Sequence, residues 1–421
     1  MTIKKELKKA YLKLTGQYKR NLEQIQQPIL LSPPADILIT NILSEKDYKK
    51  NDIFIKKMHQ HHFSETPKSF LCFLPYNVKK GFLSGGYSTI LSINDALSRI
   101  FNAKAYLCFF PIVKDENMKL LYANAIKECF PKMDFEIVDY DQAFLLHVDF
   151  ALCNFWMGAY PLLKFNNCKE KYNLIQDHEA MFYNDAVASL AEQTLSFGFY
   201  KLCNSKALQN YTTFIDKESA SFRYIPGINH YLYYPRSDKE QKQNNICKII
   251  FYGRPSTPRN AFSFLVPVLQ KVKAVLKEKV RIISVGENYN LSTWNLENIV
   301  ENFGLFDNLE KLAELYRQCD IGISLITTPT FSYQHLEFMA SGLCLVTNKQ
   351  SGIEDFLKDE ENAIVSELSI DIMANKIIDL VNNPKKMQKI STNAVKTTDK
   401  LDWDKCFKSI ADFIMLDKRN K

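Results

Sequence analysis

Short apolar runs alternate with helix-length segments from residue 68 onward. The runs are mainly apolar rather than alternating, which is typical of strands buried on both faces of a parallel sheet. The segments between them, such as 90–100 and 120–130, carry apolar residues at helical spacing. The first half therefore predicts a doubly wound α/β domain. Its predicted strands are 69–74, 105–110, 135–138, 148–153 and 172–175.

A polar, charged stretch without periodicity, 236–245, marks a domain boundary. After it the pattern repeats and predicts a second Rossmann-like domain. The predicted strands are 248–252, 280–285, 320–325 and 343–347, with a strand or turn at 299–303, and the predicted helices are 261–276, 308–317 and 333–341. A last helix, 403–415, has an apolar face that should dock on the protein. We expect domains at 1–240 and 245–400, and a terminal helix at 401–421.

The composition is that of a folded globular protein, because 46% of its 421 residues are hydrophobic and 24% are charged. Ten cysteines without a C-x-x-C pair indicate buried thiols in a reducing compartment and argue against zinc. No apolar leader or stretch of about 20 apolar residues is present, so we expect a cytoplasmic location.

The net charge of +7 is concentrated before residue 23, where seven basic residues face one glutamate. Apolar residues recur there at roughly helical spacing and predict a basic amphipathic helix. Such a helix either rests on an anionic membrane or packs, solvated, on its own domain. Nucleic-acid binding is not expected, because stacking aromatics do not interleave with the basic cluster.

The segment FSYQHLEFMASG, 331–342, contains a candidate anion site. Ser332 is a plausible N-cap of a helix over 333–339, and Gly342 ends that helix before an apolar strand. The start of a helix exposes unpaired N–H groups, which favour a phosphate, while Glu337 can reach the hydroxyls of an attached sugar. This arrangement is half of a nucleotide-sugar site.

The other half is predicted at KIIFYGRPSTPRN, 248–260, where Gly253 ends an apolar run and Arg254 and Arg259 follow. Two guanidinium groups at the end of a buried strand suit a diphosphate, because arginine can bond two oxygens together. Strand ends are also where open α/β sheets bind ligands. The alternative is that both arginines are solvated loop charges.

These segments resemble the GT-B glycosyltransferases, particularly the family 4 branch and its WsaF-type bacterial rhamnosyltransferases. The resemblance covers most of 70–415 and is strongest over 249–356. It implies two Rossmann-like domains that face each other across a cleft, with the nucleotide-sugar donor on the second domain, the acceptor on the first, and the terminal helix on the first. The residues that it implies for donor binding are Gly253, Arg254, Arg259, Gly286, Phe303, Gly304, Ser332, Tyr333 and Glu337.

One departure from the family pattern concerns the sugar. Many family 4 members have a second glutamate eight residues before the ribose-binding one, and Pro329 stands at that position here. Thr328 and Thr330 are among its local substitutes. The change accords with a deoxysugar donor such as dTDP-L-rhamnose.

Two segments of the first half are candidates for the acceptor side. Gly85 and Gly86 precede Thr89 at the start of a predicted helix, so the backbone there can approach a phosphate or an acceptor closely. The alternative is that the two glycines form a simple turn without a ligand. Asp177 and Glu179 follow the strand 172–175 and are candidates for the base that takes the acceptor's proton. The alternative is that Asp177 is the N-cap of a helix and that Glu179 interacts favourably with the dipole of that helix.

No metal or cofactor is expected, because the arginines and the helix start can stabilise the leaving diphosphate. Asp139-Tyr140-Asp141 is formally a D-x-D motif but lacks a third ligand, and His59, His61 and His62 suggest a solvated loop. The sequence thus predicts a metal-independent glycosyltransferase that transfers a sugar to a glycan or lipid-linked glycan. A nucleotide-sugar epimerase and a non-catalytic nucleotide-sugar sensor remain as alternatives.

Overall fold

The structure is a computed structural model, and it describes residues 42–75, 85–110, 116–184, 186–236, 246–306 and 308–419. The predicted basic helix before residue 23 and nearly all of the predicted boundary at 236–245 lie outside the described residues. The chain divides into two compact units. The second unit contains Ser205–Ala207 and Ile225–Asp404, and the other described residues form the first.

The described part of the first unit contains a parallel sheet in the order β3-β2-β1-β4-β5-β6-β7. The strands are β1 (Ser69–Pro75), β2 (Lys104–Phe110), β3 (Phe135–Ile137), β4 (Phe150–Cys153), β5 (Glu170–Ile175), β6 (Tyr200–Cys203) and β7 (Ser221–Arg223). The helices up to this point are α1 (Glu45–Met58), α2 (Gly85–Phe101), α3 (Glu116–Cys129), α4 (Tyr140–Ala143), α5 (Trp156–Lys164), α6 (Ala186–Gln193) and α7 (Lys206–Ile215).

The second unit has its own parallel sheet, in the order β10-β9-β8-β11-β12-β13. The strands are β8 (Cys247–Gly253), β9 (Val280–Gly286), β10 (Val300–Asn302), β11 (Ile321–Ile323), β12 (Cys344–Asn348) and β13 (Ile364–Ser366). The helices are α8 (Phe262–Leu276), α9 (Leu309–Arg317), α10 (Tyr333–Ala340), α11 (Ile370–Asn382) and α12 (Pro384–Thr398), followed by α13 (Trp403–Met415).

Helices cover both faces of the second sheet, which explains why the middle of β8, from Ile249 to Phe251, is apolar and buried. Ile249 and Phe251 face a core shared with α8 and α11, whereas Ile250 faces the opposite core, shared with α9 and α10. Successive side chains of a strand point to opposite faces, so a central strand with two cores has no polar position to offer. The predicted α/β class with parallel sheets is confirmed.

Each sheet starts in its middle, and the chain builds outward first on one side and then on the other. The strand order therefore reverses between β1 and β4 in the first unit and between β8 and β11 in the second. The loops that leave neighbouring strands at such a reversal diverge to opposite faces and leave a crevice, where doubly wound proteins bind their ligands. The arginine segment follows β8, and the segment that opens α10 follows β11.

The strands β6, β7 and β13 are absent from the sequence-based prediction. β6 contains a buried lysine, Lys201, whose amine contacts the carboxylate of Asp216 at 2.5 Å. Because this charged residue interrupts the apolar run, the sequence pattern did not indicate a strand. β7 and β13 have three residues each, which is too short for a periodicity signal.

The terminal helix α13 contributes to the first unit from residue 405 onward. The ring of Phe413 stacks on that of Phe222, with centroids 4.9 Å apart. Beyond the helix, the ammonium of Lys418 lies 3.2 Å from the carboxylate of Glu170, and both side chains are 0% exposed. Burial of this ion pair fixes the chain terminus at the start of β5.

Candidate functional site

The loops that follow β8 and β11 are joined at the reversal point of the second sheet. The amide of Thr327 donates to the carbonyl of Arg259 at 2.9 Å, and the side-chain amide of Asn260 donates to the carbonyl of Leu325 at 3.4 Å. These bonds bring the two predicted halves of the nucleotide-sugar site to one edge of the sheet.

The start of α10 is capped as predicted, with Ser332 as the N-cap and its hydroxyl accepting from the amide of Gln334. No pattern in the sequence pointed to His335. Its Nδ1 accepts from the amide of Ser332 at 3.3 Å, and its Nε2 donates to the carbonyl of Ser324 at 2.9 Å. Burial lowers the pKa of His335 to about 4, so the ring is neutral and ties α10 to the end of β11.

Arg254 is held in an ion pair that the sequence did not reveal. Its Nε donates to the carboxylate of Glu287 at 3.1 Å, and its Nη1 donates to the hydroxyl of Tyr252 at 3.3 Å. The same carboxylate accepts from the amide of Ser256, and these bonds lower the pKa of Glu287. The Nη2 of Arg254 donates to no described residue, so one edge of the guanidinium remains for an anion.

The three glycines predicted for donor binding hold the neighbouring loops together. The carbonyl of Gly253 accepts from the amide of Glu287 at 3.1 Å, and the amide of Gly286 donates to the carbonyl of Gly304 at 2.9 Å. Gly304 has φ +67°, and a Cβ there would overlap the side chain of Asn288. These positions therefore require glycine for the packing of the loops themselves.

Glu337 lies in the second turn of α10, half-buried, and the hydroxyl of Tyr233 donates to its carboxylate. Burial raises the pKa of Glu337 to about 7. A carboxyl with such a pKa is poised to become fully charged when a ligand offers hydroxyl groups to it. Perturbed carboxyl groups of this kind cluster at functional sites.

Three buried polar atoms at the reversal point have no hydrogen-bond partner among the described residues: Oδ1 of Asn260, Oγ of Ser324 and Oγ1 of Thr328. Nearly all buried polar groups in proteins are paired, so a cluster of unpaired ones indicates a place for a polar ligand. The sequence analysis had named Thr328 only as a substitute for a missing glutamate. Asn260 was missed, although it directly follows Arg259.

Two aromatic residues of the predicted donor site differ in their exposure. Phe303 follows β10 and is 44% exposed, so its ring face is available for a base. Tyr333 is half-buried and packs edge-on against Phe331, with centroids 5.3 Å apart. A ring that lines a base must have an exposed face, and Phe303 meets this requirement.

In the first unit, the loop after β5 is built around hydrogen bonds. The carboxylate of Glu179 accepts from the amide of Trp156 at 2.7 Å and so caps α5. The carboxylate of Asp177 accepts from the amide of His178 at 2.8 Å. The N-cap of the short helical turn Glu179–Phe182 is His178 and not Asp177, and Glu179 binds the first amide of α5 instead. A role of Glu179 as the free base would require that bond to break.

The glycine pair of the first unit opens α2. The carbonyl of Gly86 accepts from the side-chain amide of Gln176 at 2.9 Å, which joins the start of α2, at Gly85, to the loop after β5. Thr89 is buried one turn further along the helix. The two candidate segments of the acceptor side thus lie at one edge of the first sheet.

The D-x-D motif and the histidine cluster, which could suggest metal binding, have structural roles. Asp139 caps α4 and pairs with the ammonium of Lys119 at 2.7 Å. The expectation of a solvated loop at the histidines is wrong for His61, whose ring contacts the buried carboxylate of Glu170 at 3.0 Å. Among the described residues, three or more His, Cys, Asp or Glu side chains nowhere converge as metal ligands. All ten cysteines are free thiols.

The helices of the described ranges are all too short or too polar to cross a membrane.

Residues 247–378, which begin with β8, match the family model described as WsaF, C-terminal domain. RfbC of Myxococcus xanthus, an O-antigen biosynthesis protein, is 29% identical over 266 residues, which is 63% of this chain and 20% of that relative. The chain thus spans about a fifth of the length of the curated relative it matches.

Solved structures agree with the fold. Anabaena Alr3699/HepE in complex with UDP-glucose aligns with a TM-score of 0.63 at 18% identity, over 82% of this chain and 99% of that chain. Sucrose-phosphate synthase of Thermosynechococcus elongatus aligns with a TM-score of 0.61 at 13% identity, over 82% and 98%. The fold is the GT-B fold, and residues 247–378 resemble the C-terminal domain of WsaF. The expected fold and family resemblance are confirmed.

Proposed function

We propose that this WsaF-like protein is a glycosyltransferase of polysaccharide or O-antigen biosynthesis. It moves a sugar from a nucleoside diphosphate donor, bound by the second unit, to a glycan or lipid-linked glycan acceptor. The observation that carries the proposal is that the loop with Arg254 and Arg259 is hydrogen-bonded to the loop that leads into the capped start of α10, at the strand reversal of the WsaF-type domain. HepE, with the same fold, has been solved with UDP-glucose, which supports a nucleotide-sugar ligand.

The proposed donor binds with its diphosphate at Arg254 and beside the N-terminal end of α10, where the helix dipole is positive. Its ribose hydroxyls donate to Glu337, and its base rests against Phe303. Gly253, Gly286 and Gly304 shape the loops around it, and the unpaired oxygens of Asn260 and Thr328 serve the polar groups of the sugar. Catalysis then consists mainly of positioning and of charge stabilisation on the departing diphosphate.

For the acceptor side, we propose the edge of the first sheet that carries Gly85, Gly86, Thr89, Asp177 and Glu179. The finer identity of the donor, dTDP-L-rhamnose, rests on Pro329 at the position of a sugar-binding glutamate. Peripheral contact with the inner face of the membrane through the basic segment before residue 23 is part of the same proposal.

A panel of nucleoside diphosphates tests the assignment. In a thermal-shift screen of UDP, dTDP, GDP and ADP, we expect one to raise the melting temperature, because a ligand that binds only the folded state stabilises it. The matching nucleotide sugar should then be consumed only when an acceptor glycan is added. Epimerisation of the donor alone would support the epimerase instead, and binding without consumption would support a sensor.

Binding of that diphosphate should release a proton through Glu337. The free carboxyl is largely protonated at pH 6, since its pKa is about 7, and ribose hydroxyls that donate to it favour the charged form. Calorimetry at pH 6 in two buffers of different ionisation enthalpy should show up to one proton released, falling towards zero at pH 8. Affinity should therefore rise as the pH increases to 7.

The diphosphate titrates in the same range, so Glu337→Gln is the required control. We expect the variant to lose the proton release that belongs to the carboxyl and to keep the part that belongs to the ligand. Equal proton release in both proteins would remove Glu337 from the ribose site.

A further inference from the structure

A histidine-carboxylate pair lies in the first unit beside the loop after β5. The Nε2 of His178 contacts the carboxylate of Glu192, on α6, at 2.7 Å. The second oxygen of that carboxylate accepts from the hydroxyl of Tyr211, on α7, and the rings of His178 and Tyr211 lie with centroids 4.5 Å apart. The imidazole is thus fixed in both position and orientation.

These contacts select one tautomer of the ring. A carboxylate whose oxygens already accept from Tyr211 and His178 requires Nε2 of the imidazole to bear its hydrogen. The lone pair of the neutral ring is then on Nδ1, which makes no hydrogen bond with any described residue. The side chain of His178 is 14% exposed, so the ring is largely buried but still in contact with solvent.

The pair occupies a small crevice at the carboxyl edge of the first sheet. Asn154, Asp177 and Glu179 line the same crevice, and Oδ1 of Asn154 is buried without a partner in the described ranges. The groups that face the imidazole are therefore Glu192, Tyr211, Asp177 and Glu179. Of the carboxylates, Glu179 is occupied by the cap of α5, and one oxygen of Asp177 by a backbone amide.

We infer that His178, oriented by Glu192, is the base that deprotonates the acceptor hydroxyl. The inference rests on the proposed function and names the residue that performs one step of it. The acceptor oxygen forms a bond to the anomeric carbon, the bond from that carbon to the diphosphate breaks, and the electron pair leaves with the diphosphate. The hydroxyl proton moves to Nδ1 of His178.

Glu192 is a positioning residue, because the partners of its carboxylate among the described residues are the imidazole and the hydroxyl of Tyr211. Its charge stabilises the imidazolium that forms as the proton arrives. The mechanism differs from a carboxylate base in the pH at which activity disappears. An imidazole ordinarily protonates near pH 6.5 and an aspartate near pH 4.

The test uses the full chain with the donor and acceptor found by the nucleotide screen. We expect His178→Asn to lower kcat for transfer about 10²- to 10⁴-fold. Affinity for the free nucleoside diphosphate should stay within about twofold, because that ligand is assigned to the second unit. Added imidazole should restore part of the lost rate. His147→Asn, at an exposed position of the same unit, should behave as wild type.

The pH profile separates the two possible bases. In the wild type, kcat/KM should fall on the acid side, and Glu192→Gln should lower kcat, because it removes the carboxylate that stabilises the imidazolium. If His178→Asn does not fold, Glu192→Gln tests the same inference. An acid limb near pH 4 that disappears in Asp177→Asn would overturn the inference in favour of the carboxylate, as would unchanged kcat in His178→Asn.

A substrate-free measurement completes the test. The imidazole ¹⁵N spectrum of the labelled protein, with His178 assigned through His178→Asn, should show the tautomer protonated on Nε2 at pH 8. The opposite tautomer would overturn the inference without touching the proposed function. Failure of every nucleotide to bind would overturn the proposed function, and with it this step.

Discussion

Replacing Arg254 with alanine should weaken binding of the nucleoside diphosphate about 10- to 100-fold, since a hydrogen bond to a charged group contributes roughly 1.5–3 kcal/mol. Turnover should fall about 10²- to 10³-fold, because charge accumulates on the diphosphate as the sugar leaves. Isothermal titration with the diphosphate and steady-state kinetics with the nucleotide sugar measure the two effects.

The ion pair with Glu287 affects the interpretation of Arg254→Ala and also provides a second test. Alanine removes a cation and leaves the carboxylate of Glu287 facing the anionic ligand. The double variant Arg254→Ala with Glu287→Gln should therefore recover part of the affinity, and the size of the recovery measures the repulsion. Arg254→Lys should bind less well than wild type, because a lysine cannot bond two oxygens and Glu287 together.

Arg281→Ala is the matched control, because Arg281 pairs with Glu301 in the same sheet but at the surface. We expect no change in diphosphate affinity and only a small change in stability. If Arg254→Ala binds the diphosphate as tightly as this control, Arg254 does not belong to the phosphate site.

Lys418→Met should destabilise the first unit by about 3–5 kcal/mol, since breaking a buried ion pair leaves an uncompensated charge. Glu170 is fully buried and, within the part of the chain that the structure describes, would retain Tyr172 and His61 as its partners. The loss should appear as faster amide hydrogen exchange in β5 and a lower melting temperature. Hydrogen exchange is the preferred readout, because it resolves one unit of a chain that contains two.

Lys408→Met is the control here, because Lys408 lies exposed on α13 and makes no ion pair with a described residue. Its effect should stay within about 0.5 kcal/mol. Lys418→Met combined with Glu170→Gln should be more stable than Lys418→Met alone, since no buried carboxylate is left unpaired. Exchange in β5 that is unchanged in Lys418→Met would mean that the terminus contributes nothing to the first unit.

The sequence predicted most strands because the middle of a strand between two cores is apolar on both faces, as Ile249 to Phe251 of β8 are. It failed where burial involved charge, as at Lys201 in β6, or where a strand was only three residues long, as in β7 and β13. The Ser332 cap and the Gly342 stop were also predicted, because both depend on local backbone chemistry.

The candidate site divides in the same way. Its residue types and their positions at strand ends could be read from the sequence, and the resemblance to the GT-B family added their roles. Its partners could not, because they come from distant parts of the chain. Arg254 and Glu287 are 33 residues apart, and Glu179 and Trp156 are 23 apart.

The sequence by itself determined the two α/β units, the order of most of their elements and the segments that carry the chemistry, because periodicity and caps act over a few residues. The tertiary structure alone decided which charged groups are engaged. In the folded chain, Glu179 caps a helix, Arg254 forms an ion pair and the imidazole of His178 is oriented by a carboxylate. Charge interactions depend on distance in space, and only the folded chain sets those distances.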